Sequence, residues 1–187
     1  MSMAEPSDTA VVIVVDLQTA MFSGVLLPPI HDADALVERV RSVIDWARRS
    51  GHPVAFVRHD GPSGDELAPG EPGWPLWPAL GRAESEPIFS KTVGDAFSEP
   101  ALGDWVAQRG AHDVILLGAQ TDECIAATVR GALERGLGVS VVDDAHSTWD
   151  SNGESAAAIV ARYNVGFAAA GARVLTTEAL TSSLRPT

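Results

Sequence analysis

A single cysteine, Cys124, stands in a chain of 187 residues. That scarcity excludes an internal disulfide and any cysteine-rich metal site, and it suits a reducing compartment. Lysine is equally scarce: Lys91 is the only one, against twelve arginines. Acidic residues number 25 against 13 basic ones, a formal net charge of -12. The concentrated Lys/Arg face that a nucleic-acid binder needs is therefore missing. The acidic excess serves solubility and favours a cationic substrate or partner. No apolar run approaches membrane-spanning length. The polar start MSMAEPSDTA lacks the positive n-region of a signal peptide. The expectation is a soluble, cytoplasmic protein that binds neither nucleic acid nor membrane. Also missing are a GxGxxG dinucleotide loop and a GxxxxGK[ST] phosphate loop, so no organic cofactor is expected. No G-x-S-x-G elbow occurs, which argues against a serine hydrolase.

What is present is 45% hydrophobic residues, enough for a continuous core in one domain. Residues 11–15, VVIVV, are short, apolar and β-branched, the pattern of a strand buried on both faces. Similar runs follow at 53–58, 87–91, 113–118, 138–142 and 172–175. Helical patterns separate them: from a cap at Asp32 or Asp34 to about Arg49, over 99–109, from Cys124 to near Gly136, and over 153–170. Strands alternating with helices predict an α/β fold, a three-layer sandwich with a six-stranded, mostly parallel sheet. No linker divides the chain, so one domain is expected over residues 1–187, its core at about 9–178. The segment 59–81 holds five prolines and five glycines. It is too long for an ordinary connector, and Trp74 and Trp77 predict that it is ordered by packing.

Three strand ends carry polar groups, and such carboxyl ends form the ligand crevices of open α/β sheets. Asp16 follows the first strand, Lys91 ends the third, and Cys124 opens the helix after the fourth. Each has two readings. Cys124 is a buried small hydrophobe, or a nucleophile whose pKa is lowered at a helix N-terminus. Asp16 is a turn or helix cap, or the acid–base that takes the thiol proton. Lys91 is a solvated surface lysine, or the charge that fixes Asp16 and favours a thiolate.

Four segments, VVIVVDLQTAMF, HDGPSGDELAPGEPGWPLWPAL, IFSKTVGDAF and LLGAQTDECIAATVRGALERG, occur in an order and spacing that resembles the isochorismatase-like cysteine hydrolases over nearly the whole chain. The resemblance implies an isochorismatase-like fold, a homodimer or larger homo-oligomer, and a catalytic triad of Asp16, Lys91 and Cys124. It further implies a non-proline cis peptide near Ala119-Gln120. An oxyanion hole at Ala119, Gln120 and the Cys124 amide would complete the site. Nicotinamidases of the family carry an Asp-His-His metal cluster. Here His59 and Asp60 have no HxSF-like segment after them, so no metal is expected.

Cys124 points to the amidase-like branch, which includes enzymes that open the lactam of the cationic antibiotic streptothricin. The expected activity is hydrolysis of an amide or lactam C–N bond through a thioester, with a role in antibiotic resistance if streptothricin is the substrate. Candidate substrate contacts are Gln18, Phe22, His59, Trp74, Phe97, His146 and Trp149. Gln18 either orients substrate or satisfies loop amides. Trp74 offers a face to a flat or cationic group, beside Asp60, Asp65, Glu66 and Glu71. Phe22 and Phe97 either wall the pocket or fill the core. His146 and Trp149 approach the mouth from the fifth strand, and His146 permits a Cys–His mechanism. Two rival functions are a vinyl-ether hydrolase of the isochorismatase type and a silent scaffold that binds a partner through the acidic loop.

Overall fold

The computed structural model describes residues 10–25 and 27–182. Its six strands are β1 (Val11–Val15), β2 (Val54–His59), β3 (Ile88–Lys91), β4 (Asp113–Ala119), β5 (Gly138–Ser147) and β6 (Arg173–Leu175). They form one sheet in the order β3-β2-β1-β4-β5-β6, with every neighbouring pair parallel. Between them run α1 (Ala33–Ser50), α2 (Pro100–Gln108), α3 (Ala126–Glu134) and α4 (Ala156–Ala169), and α5 (Thr177–Ser182) follows β6. None of the described helices is long and apolar enough to cross a membrane.

The VVIVV run is central because both its faces are apolar. Val12 and Val14 pack with Leu36, Val40, Val43 and Ile44 of α1. Val11, Ile13 and Val15 pack with Leu102 and Val106 of α2 and Val129 of α3. Each such side chain withdrawn from water contributes about 1.5–3 kcal/mol, so a polar residue anywhere in β1 would weaken one of the two core layers by at least about that much. The six-stranded α/β sandwich expected from the alternation is the fold found. The order reverses between β1 and β4, which creates a crevice at their carboxyl ends.

Three local readings are corrected. β5 continues through Asp143 and Asp144 to Ser147 instead of stopping at Val142. A register shift between Leu116 and Gly118 lets its end pair with Gly118 and Ala119. Asp144 does not break the strand, because its Oδ1 accepts from the Thr177 amide and hydroxyl at the start of α5, 2.8 and 2.7 Å away. That short helix was not expected. Asp32 occupies the N-cap position of α1 at φ 52 but makes no side-chain cap.

Candidate active site

Asp16 is the first residue beyond β1, and the chain turns there through a positive φ of 51. Its amide donates to Val57 O at 3.0 Å, so the carboxylate stays over the sheet edge and is 1% exposed. Lys91 ends β3 in register with His59, the last residue of β2. Cys124 lies in a π-helical turn, Thr121–Ile125, between β4 and α3.

These elements converge on the Lys91 ammonium. Nζ donates to Asp16 Oδ2 at 2.6 Å and to Cys124 Sγ at 3.3 Å, and lies 3.2 Å from His59 Nδ1. Asp16, His59 and Cys124 each place one donor atom within 4.8 Å of the others. Those three would suit a divalent cation, but they surround an ammonium that already holds the cationic position. No second such cluster of His, Cys, Asp or Glu occurs among the described residues. His59 enters as a member of the cluster, whereas the sequence suggested a substrate contact.

Burial decides the electrostatics. It raises the Asp16 carboxyl above the ordinary range, against the pull of Lys91. Burial, and then the Asp16 charge, push the Cys124 thiol up to about 12, outweighing Lys91. Burial and the Asp16 charge thus act against the lowering expected at a helix N-terminus, and they favour the thiol form. Its proton must leave as attack proceeds. Asp16 Oδ1 is buried without a hydrogen-bond partner, a free acceptor beside the thiol. The Ala119-Gln120 peptide is cis, at the position the family resemblance implied.

The other expected contacts divide. Gln18 is wholly buried. Its Oε1 accepts from His59 N at 2.9 Å, and its Nε2 donates to His59 O at 3.0 Å and Trp74 O at 2.8 Å. Its amide is consumed in tying the long loop to β2, which settles it as a loop tie. One face of the half-buried Trp74 is already covered by the Arg58 guanidinium, 3.6 Å from its ring centroid. Its Nε1 donates to Asp60 Oδ1 at 2.7 Å, so Asp60 too is an internal anchor. Phe22 stacks on Trp77 at 5.1 Å. The two line a cavity of about 780 Å³ with Pro29, Ala33 and Val37, beside α1. Phe97, 3% exposed, belongs to the core of α2 and α3, with Arg135 over its ring.

His146 is 3% exposed and does not reach the mouth. Thr121 Oγ1 lies 2.8 Å from its Nδ1, and Asn164 Oδ1 2.9 Å from its Nε2. Both nitrogens are committed, which removes it as a Cys–His base. Trp149 donates to Pro28 O at 2.8 Å and pins the loop after β1. Sequence reasoning missed Thr121, Asn164 and Arg58. Only Thr121, three residues before Cys124, carried a spacing that signals support of the nucleophile turn.

The sequence model of the isochorismatase domain matches residues 10–179. A streptothricin hydrolase of Streptomyces noursei is 36% identical over 138 residues, covering 74% of this chain and 54% of that protein. With its sibling, covered to 49%, it shows that this chain spans about half the length of these curated relatives. Nicotinamidase 3 of Arabidopsis thaliana is 27% identical over 158 residues, covering 77% of this chain and 76% of that one. The crystal structure of an isochorismatase from Pseudomonas putida KT2440 superposes with a TM-score of 0.86 at 28% identity, covering 96% of this chain and 94% of that one. The fold, with its sheet reversing between β1 and β4, is shared with that solved structure, and by the domain match over residues 10–179 the chain belongs to the isochorismatase family.

Proposed function

We propose that the protein is a cysteine hydrolase of a non-peptide C–N bond, an amide or a lactam. The observation that carries this reading is the buried Lys91 ammonium bonded at once to Asp16 and Cys124, with the second Asp16 oxygen left unpartnered. As Sγ attacks the substrate carbonyl, the thiol proton passes to Asp16 Oδ1 and an S–C bond forms. Negative charge develops on the carbonyl oxygen and meets the backbone amides of Gln120 and Cys124. Asp16 returns its proton to the nitrogen as the C–N bond breaks, which leaves a thioester. Asp16 next takes a proton from water, and the hydroxide attacks the thioester carbonyl. The C–S bond breaks, Asp16 reprotonates the sulfur, and the acid is released. Lys91 keeps Asp16 ionised between these transfers.

The substrate this reading favours is a cationic lactam of the streptothricin type. Its support is the 36% identity to a streptothricin hydrolase and the net charge of -12. A second reading, protonation and hydration of a vinyl ether by Asp16 without a thioester, draws on the high thiol pKa. Intact mass after brief incubation with an amide and lactam panel separates the two. An acyl adduct on the wild type that is absent from Cys124→Ala supports the thioester route. Turnover by both proteins overturns it.

A further inference from the structure

The Lys91 ammonium has three N–H bonds, and three acceptors surround it: Asp16 Oδ2, His59 Nδ1 and Cys124 Sγ. An ammonium has no lone pair to offer. The His59 nitrogen facing it must therefore be the unprotonated one, and the ring proton sits on Nε2. A second proton, on Nδ1, would meet the ammonium directly. Burial, with Lys91 adding to it, accordingly holds the His59 pKa below the ordinary histidine range.

The ring is also held in place. His59 pairs in register with Lys91, and both its backbone polar groups are bound by the Gln18 amide. Gln18 is itself wholly buried. Nε2 has no hydrogen-bond partner among the described residues, although the ring is only half-buried. One ring nitrogen, the sulfur and an Asp16 oxygen all lie within 4.8 Å of one another. Lys91, with its three N–H bonds spent, has none left for substrate.

We infer that neutral His59 is a catalytic residue, donating from Nε2–H to the carbonyl oxygen of the bound substrate alongside the backbone amides. The inference rests on the thioester reading above. A carbonyl carbon poised for attack sits about 3–3.5 Å from the nucleophile, and His59, whose Nδ1 faces the same ammonium as Sγ, is a neighbouring side chain with a donor still uncommitted. The bond strengthens as that oxygen becomes an oxyanion, so His59 acts on the chemical step. His59 therefore selects acyl compounds over electrophiles that develop no charge on oxygen.

The test compares two reactions of Cys124 in wild type, His59→Leu and His59→Gln. Acylation by p-nitrophenyl acetate develops an oxyanion, whereas alkylation by iodoacetamide at saturated carbon does not. The Gln side chain keeps an acceptor for Lys91 and a donor beyond it. Expected for His59→Leu is an acylation rate lower by about 100-fold, with alkylation within threefold of wild type, and His59→Gln recovering most of the loss. An equal fall of both rates would show that His59 acts only through Lys91 and Cys124, and would overturn the inference. So would an unchanged acylation rate. Wild type that is alkylated at Cys124 but never acylated overturns the thioester reading itself, and the inference with it. Thermal melting of each variant identifies any loss of rate that reflects unfolding.

Discussion

His146 links the nucleophile turn to α4, and the link carries a pH dependence that can be worked out. Asn164 Nδ2 donates to Asp143 O at 3.1 Å, which turns Oδ1 toward His146. Nε2 must then be the donor, and Nδ1 accepts from the Thr121 hydroxyl. Burial lowers the pKa of this ring to about 4, against about 6.5 in an unfolded chain. A group whose folded pKa is depressed contributes fully above the unfolded value and loses that contribution as pH falls toward the folded one. The window therefore runs from about pH 6.5 down to about 4. Each pKa unit is worth about 1.36 kcal/mol, so the whole window amounts to about 3 kcal/mol, of which about 2 kcal/mol is gone at pH 5. With 3% of the residue exposed, solvent screening takes little from this figure. Urea denaturation of wild type and His146→Gln at pH 7 and pH 5 isolates the effect, because other groups titrate in both. Wild type should lose about 2 kcal/mol more than the variant, a relative midpoint shift of about 1 M urea. Equal losses in the two proteins would refute both the buried neutral tautomer and its coupling to folding.

Three further outcomes follow from the same structure. Lys91→Met removes the partner of a fully buried carboxylate, which should cost about 3–5 kcal/mol; thermal melting reads it, and an unchanged midpoint would contradict the buried pair. With the thiol pushed up to about 12, the alkylation rate of Cys124 should still climb at pH 10. A rate that levels off by pH 10, as for an ordinary cysteine of pKa about 8.5, would contradict the dominance of burial and Asp16 over Lys91. Gly118 has φ 132, and a Cβ there would collide with the Val15 carbonyl across the β1–β4 pair. Gly118→Ala should lose about 3 kcal/mol or more, measurable in urea, whereas Gly103→Ala in α2, where a Cβ meets nothing within 4 Å, should not destabilise.

Short-range chemistry was legible in the sequence, and competition between neighbours was not. VVIVV declared β1 because five apolar residues without period require two covered faces. Asp16, Lys91 and Cys124 could be singled out because each is a polar residue at the end of an apolar strand or the start of a helix. The thiol pKa was misjudged because the helix-terminus rule is local, while the dominant effects are burial and an acid 108 positions away in the chain. Trp74 read as an aromatic face open on both sides because nothing in its own segment indicates that Arg58, on β2, already covers one of them. Asp143-Asp144 read as a strand end because the partner of Asp144, Thr177, lies beyond another helix and strand. His146 was read at the mouth from its proximity to the strand end, but β5 runs on and α4 covers it.

The sheet order explains why one lysine suffices. The reversal between β1 and β4 makes Asp16 and the Cys124 turn neighbours without further design. No backbone at that crevice supplies a cation, and β3, which carries Lys91, is separated from β1 by β2. The ammonium has to reach across the end of β2, where the residue in register with it is His59. Whatever side chain stands there must tolerate a buried positive charge. An imidazole does so by presenting its unprotonated nitrogen, and the arrangement then obliges it to carry its proton on the other side. The protonation state of His59 thus follows from strand order and the length of a lysine stem, which ties the donor beside the nucleophile to the architecture of the sheet.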